Sequence, residues 1–218
     1  MIIFIKIYGI IKVHIKESIL KLILLLVLSF SFSAFSIPTA VVEKVVGTVM
    51  FKGEKLTVGS KLTTDGILFT KKKSYVKIHI PHWGNSIVLG SSSKMKLSLS
   101  SKKTKRQYSF IKGICRWKTI AGLKTGPKDK KGQIFTRNAV LGVRGTDFLL
   151  KAGDLLGETE VVVFDGQVEL QNTKNAKDKA LINKGQWGGL GGRYGNTVGE
   201  IINLPKKALN YFNKQLKN

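Results

Sequence analysis

Apolar and polar positions alternate in short runs through most of this chain. Between Tyr75 and Ile80 the sequence places Val76, Ile78 and Ile80 on one face and Tyr75, Lys77 and His79 on the other, the period of two that marks a half-buried strand. Met95, Leu97 and Leu99 alternate with Lys96 and Ser98 in the same way. Val41 to Val46 and Thr48 to Phe51 flank Gly47, Leu56 to Val58 follows the turn Lys52-Gly53-Glu54, and Ser86 to Leu89 resumes after a break at Pro81-His82-Trp83-Gly84-Asn85. Tyr108 to Ile111 and Ile114 to Thr119 read as a strand pair around Gly113. Such short strands, with a turn signal every ten residues or so, predict an all-β domain built as a sandwich, a barrel or a short solenoid.

The densest pattern lies between Thr136 and Leu170. Two β-branched or aromatic runs, Asp147 to Leu150 and Val161 to Phe164, are separated by a polar, Gly-containing gap. Arg144-Gly145-Thr146 precedes the first run, and Asp165-Gly166 follows the second as a candidate tight hairpin, since Asp-Gly supplies the positive φ that such a turn needs. Gly145 would give backbone freedom, Thr146 a side-chain hydrogen bond closing a bend, and Arg144 a local pairing. Ala180 to Ile182 with Lys184-Gly185-Gln186-Trp187 reads as a closing strand and turn.

The order and spacing of these segments resemble the FecR domain. The residues that carry the resemblance are Thr136, Ala139, then Val143-Arg144-Gly145-Thr146-Asp147-Phe148, then Val163, Asp165, Gly166 and Val168, and finally Lys184-Gly185-Gln186. Upstream, Gly47 and Val49, Leu56, Gly59 and Leu62, Gly66 to Thr70 and Lys73 to Val76 fit as well, so the resemblance covers Val42 to Trp187. It implies an all-β, FecR-like domain, β-sandwich or β-solenoid-like, over residues 40–187. It also implies an extracytoplasmic sensor module of the iron-citrate-type regulators. In those proteins the domain receives a signal from an outer-membrane transporter and is joined to a membrane helix and a cytoplasmic segment controlling a sigma factor. Here fewer than 40 residues precede the domain, which leaves no room for a cytoplasmic anti-sigma region. The expected role is therefore a non-enzymatic binding or sensor-type module with an envelope protein partner.

The flanks have their own patterns. Lysines spread over the first 21 residues, an apolar core from Leu22 to Phe35 and the small residues Ala34 and Ser36 read as a signal peptide over residues 1–36, cleaved after Ser36. An uncleaved inner-membrane anchor is the alternative, and either destination is outside the cytoplasm, periplasmic or secreted. Residues 188–204, with six glycines between Gly188 and Gly199, read as a flexible linker. Residues 205–218 read as a basic amphipathic helix, with Ala208, Leu209, Phe212 and Leu216 on one face and Pro205 in its first turn. Such a helix suits either docking on the domain or lying on a membrane. No transmembrane helix is expected after the domain.

Charge adds a second reading. The 218 residues carry a net charge of +24, of which Lys6, Lys12, Lys16 and Lys21 against Glu17 leave +3 on the leader and +21 on the remainder. Such an excess attracts polyanions. Lys102, Lys103, Lys105 and Arg106 in one connector and Lys128, Lys130 and Lys131 in the loop 121–132 are the candidate contacts for acidic envelope polymers, peptidoglycan-linked or lipopolysaccharide. Export argues against nucleic acid as a physiological partner, although Trp83, Trp117 and Trp187 lie near basic residues in the manner of a stacking surface.

Catalytic and metal chemistry find little support in the sequence. Cys115 is the one cysteine, which excludes an internal disulfide and a Cys-x-x-Cys pair, and its strand-like setting suits a small buried hydrophobe. His79 and His82 straddle Pro81 and would face opposite sides of a strand, so no metal site is expected, and no cofactor. Asp147 and Asp165 could meet across adjacent strands, as a remote hydrolase alternative demands. Their positions at turn edges suit bonding to nearby backbone N–H groups instead.

Overall fold

The computed structural model describes residues 40–81, 84–99, 107–119 and 132–216. The leader, His82, Trp83, Lys102, Lys103, Lys105, Arg106, Lys128, Lys130 and Lys131 lie outside the described residues, as does the side chain of Arg144. The strands are β1 (Ala40–Val46), β2 (Val49–Phe51), β3 (Glu54–Lys55), β4 (Lys61–Leu62), β5 (Gly66–Thr70), β6 (Tyr75–Ile80), β7 (Asn85–Leu89) and β8 (Lys94–Leu97). They continue as β9 (Gln107–Thr119), β10 (Gly132–Phe135), β11 (Ala139–Ala152), β12 (Thr159–Asn172), β13 (Lys179–Asn183), β14 (Gln186–Leu190) and β15 (Ile202–Asn203), and the helix α1 (Lys206–Lys214) follows. No described helix is long and apolar enough to cross a membrane.

Hydrogen bonding arranges the strands in two layers that share β9, β11 and β12. One layer runs β4-β1-β6-β7-β9-β11-β12-β14-β15, using residues 113–119, 147–152 and 159–163 of the shared strands. The other runs β3-β2-β5-β8-β9-β10-β11-β12-β13, using residues 107–112, 139–144 and 165–172. All pairings are antiparallel except β9 with β10. The inward faces of both layers meet in one apolar cluster. Val76, Ile78, Ile80, Ile87, Phe148 and Val161 come from the first layer, and Leu68, Met95, Leu97, Phe110, Leu141 and Leu170 from the second. Tyr108 and Trp117 bridge the layers edge to face, 4.6 Å between ring centres, a favoured aromatic geometry. The alternations Val76/Ile78/Ile80 and Met95/Leu97/Leu99 predict the buried positions correctly.

The turn signals, by contrast, were assigned the wrong role. Arg144-Gly145-Thr146 and Asp165-Gly166 are not chain reversals but bends inside the continuous strands β11 and β12, and Gly113 is a bend inside β9. The reversal between β11 and β12 falls at residues 153–158 instead, where Gly153 N–H donates to Glu158 O at 2.9 Å. Positive φ at Gly113 (103°), Gly145 (60°) and Gly166 (76°) is spent on turning each strand from one layer into the other. The register slips between Arg144 and Phe148 as it does so. Nor does Thr146 close a bend: its hydroxyl is buried without a hydrogen-bond partner.

Along the opposite edge the layers are joined by polar stitches. Ile114 N–H donates to Ser93 Oγ at 3.0 Å, Ser93 N–H to Thr70 Oγ1 at 2.9 Å and Thr48 N–H to Ser74 Oγ at 2.9 Å. Thr70 Oγ1 in turn donates to Gly90 O. These side chains satisfy backbone groups that leave the ladder where the chain changes layer, which is why buried Ser and Thr are tolerated there.

Residues 188–204 are a correction. Gly188, Gly189 and Leu190 belong to β14, and residues 192–194 form a single 3-10 turn. Val198 N–H donates to Asp178 Oδ1 at 3.1 Å, and Gly199 N–H to Gly189 O at 3.0 Å. Glycine serves close packing here: a Cβ at Gly188 would stand 2.7 Å from Ile182 Cδ1 and 2.8 Å from Ile201 Cδ1. The helix also starts one residue later than expected, with Pro205 at the N-cap, and ends at Lys214.

Ala at Gly145 meets only the left-handed φ, because nothing lies within 4 Å of its Cβ position. Ala at Gly166 would add a 2.6 Å approach to the Gly145 carbonyl oxygen. Gly145→Ala is expected to cost about 1–2 kcal/mol and Gly166→Ala about 3 kcal/mol or more, measured by urea unfolding. Equal effects would contradict this account of the crossing.

Candidate functional site

The motif residues build the layer crossing. Val143 and Phe148 are buried on either side of Gly145, and the Gly185 N–H donates to Val163 O at 2.8 Å as β13 passes into β14. Asp147 and Asp165 do sit opposite each other in register. Their carboxylates, however, take separate cations and not backbone N–H groups. Asp165 is exposed and pairs with Lys184 at 3.3 Å. Asp147 is buried and receives two bonds from one guanidinium, Arg116 Nε to Oδ1 at 2.8 Å and Nη2 to Oδ2 at 3.0 Å, with Lys118 at 3.9 Å. The two acids therefore do not form a shared acid/base pair. Among the described residues no group of three His, Cys, Asp or Glu is placed to hold a metal ion.

Arg116 is the hub of the outward face of the first layer. Its guanidinium carbon lies 4.6 Å from the Phe164 ring centre, and its Nη1 donates to Asn213 O at 3.0 Å, which ties α1 down. Lys151 Nζ stands 4.9 Å from the Phe212 ring centre, and Leu216 packs against Gly90. Val88, Leu149 and Val162 are directly paired with Arg116 or with each other, so they share its outward face. They are buried, though not part of the central core, because the helix covers this face. Of the two roles open to α1, the structure shows docking.

Two other surfaces present unsatisfied chemistry. A cleft of about 460 Å³ is lined by Lys52, Lys55 and Lys61 together with Glu54, Ser60, Thr63 and Thr64; Lys52 Nζ donates to Thr64 Oγ1 at 3.5 Å, and none of these lysines has a carboxylate partner within 4 Å among the described residues. On the outward face of the second layer, a cavity of about 290 Å³ lined by Ile111, Phe135 and Arg137 adjoins the β11–β12 hairpin. Arg137 Nη1 donates to the carbonyls of Asp154 (2.6 Å) and Leu155 (3.2 Å), and Asn138 Nδ2 to Gly157 O at 3.1 Å, so the tip is braced. Lys112 Nζ donates to Asp154 Oδ2 at 2.7 Å and holds that carboxyl below the usual range. The braced tip presents Leu155 (82% exposed) and Leu156 (61%) to solvent.

Residues 67–169, from β5 to β12, match the family described as FecR protein. Over this stretch the chain is similar to the FecR domain. No curated protein matches the chain in sequence. Two crystal structures of a candidate anti-sigma factor from Parabacteroides distasonis ATCC 8503 share this chain's fold. The 2.50 Å structure has 16% identity and a TM-score of 0.54 over 67% of this chain and 63% of that one. The 1.65 Å structure has 16% identity and a TM-score of 0.53, covering 66% and 62%. This chain thus spans just under two thirds of their length.

Sequence reasoning missed Arg116, the cleft lysines and the leucine tip. Arg116 has a signal, a cation between the apolar Cys115 and Trp117 in a strand whose outward face an amphipathic helix could cover. The tip is hidden in the sequence because the gap between the two apolar runs reads as polar and Gly-containing. Trp117 is core, as expected of a large aromatic in a small β-domain, and Trp187 is half-buried against Tyr194, 5.1 Å between ring centres.

Removing Arg116 would strip both hydrogen bonds from the buried Asp147 and leave it only the exposed Lys118 at 3.9 Å, so Arg116→Leu is expected to lose about 3 kcal/mol of stability. The double change Arg116→Leu with Asp147→Leu should recover much of that loss in urea unfolding; no recovery would show that the pair is not the source. Burial also pushes the Cys115 thiol far above the ordinary range. Folded protein at pH 8 should therefore not react with a thiol reagent until it unfolds, and prompt labelling would refute the buried setting.

Proposed function

We propose that this FecR-domain protein is exported and works as a sensor-type signalling module through contact with an envelope protein, without catalysis of its own. The observation that carries the reading is the braced hairpin tip. Two leucines held in solvent by Arg137 and Asn138 at the rim of an apolar cavity are an arrangement that folding alone does not require. The FecR match and the shared fold of a candidate anti-sigma factor support a place in signalling. The N-terminal pattern of lysines, apolar core and small residues supports export, with cleavage after Ser36. The separate neutralisation of Asp147 and Asp165 speaks against the hydrolase alternative.

A second reading has its own observation, Lys52, Lys55 and Lys61 around one cleft, none with a carboxylate within 4 Å among the described residues. These, with the +21 charge left after the leader, suit an acidic envelope polymer held electrostatically.

In-cell crosslinking and pull-down of the full chain, washed at low and then high salt, separates the two. A discrete protein that survives high salt, and is lost with Leu155→Asp plus Leu156→Asp, is the expected result. Capture of acidic polymer alone, released by salt and by Lys52→Ser, Lys55→Ser and Lys61→Ser together, would overturn the first reading in favour of the second.

A further inference from the structure

A two-layer fold with open sheets has four terminal strands, and each offers unpaired backbone groups to any passing chain. Here three of the four are reduced to two residues: β3 and β4 at one end of the layers, and β15 at the other. The fourth, β13, is five residues long and carries no proline and no bulge. It pairs with β12 on one side only. The Asn172 N–H bond to Asp178 O (2.9 Å) sets the alternation, so Ala180 and Ile182 bond to β12 while Lys179 and Leu181 turn their N–H and C=O groups outward. No backbone bond to those outward groups exists among the described residues. Ile182 is buried in the core, and Leu181 is 49% exposed on the other face.

The chemistry around this edge is one-sided. Lys174, Lys177, Lys179 and Lys184 lie along or beside it. Asp178 is the one acid in that stretch, and its carboxylate is used inward, accepting from Asn172 Nδ2 at 2.7 Å and Val198 N–H at 3.1 Å. Lys179 and Lys184 are shared with Glu169 and Asp165, while Lys174 and Lys177 have no acidic partner within 4 Å among the described residues. A second copy of this basic chain would bring like charges together along the edge.

We infer that β13 is a strand-addition site for an extended, acidic segment of a partner protein. Backbone bonds to Lys179 and Leu181 would give the segment its register, an apolar side chain would rest on Leu181, and flanking carboxylates would meet the lysines. The inference rests on reading the domain as a protein-contact module and names where an extended partner segment would bind.

The test uses a synthetic ten-residue peptide alternating valine with glutamate, a matched valine–lysine peptide, and amide hydrogen exchange of the full chain. The acidic peptide is expected to slow exchange of the Lys179 and Leu181 amides by about tenfold or more at saturation, and the lysine peptide to leave them unchanged. In Leu181→Pro, which loses an outward N–H and no bond to β12, the Lys179 amide should stay unprotected. Lys177→Glu with Lys179→Glu should move the preference to the lysine peptide. Protection elsewhere, protection by both peptides alike, or none at all would overturn the proposal. So would protection that grows with protein concentration in the absence of peptide, which would indicate self-pairing. Since the assay needs no native partner, an empty pull-down would count against the signalling reading and not against this edge.

Discussion

The fold depends on one close approach. Where β11 and β12 cross from layer to layer, the Gly145 carbonyl oxygen occupies the space in which any side chain at Gly166 would begin. Both residues have positive φ, and the pairing register slips between Arg144 and Phe148 to let the strands turn together. Everything on either side is positioned by that turn: Val143 and Phe148 reach the same core from different layers, and Asp147 is delivered beside Arg116.

Arg116 then converts the crossing into a surface. A guanidinium forked onto a buried carboxylate, laid over Phe164 and bonded to the end of α1, has no rotamer freedom left to lose. The helix is short, has no buried residue and no side-chain cap, so its own propensity contributes little. It is held by what it covers, the apolar trio Val88, Leu149 and Val162, and by that one cation.

Much of the fold was legible in the residues. Alternation with a period of two identified the buried positions of β6 and β8 because each has one face in the core, and this local rule needs no knowledge of the partner strand. The glycines were legible as special positions but not as to their use. Positive φ serves a hairpin and a bend within a strand equally well, so three bends read as turns, β9 as a pair of shorter strands, and β11 and β12 each as one short run. The run from Gly188 to Gly199 failed for a related reason: composition shows that side chains are missing, whereas packing against Ile182, Ile201 and Tyr194 shows why. Of the candidate surfaces, the motif stretch is legible as a distinctive segment, whereas the bend it makes is not. The cleft lysines and the edge at β13 were not, since each is defined by the absence of a neighbour, and no local pattern reports that.

Sharing β9, β11 and β12 between the layers has a mechanical consequence. In an ordinary sandwich two separate sheets can slide or hinge over their apolar interface. Here three unbroken backbones pass from one sheet into the other, so relative displacement of the layers would have to stretch or break strands. The body of the domain is a stiff block, and whatever it transmits must travel as motion of the whole or through the parts hung on its outside.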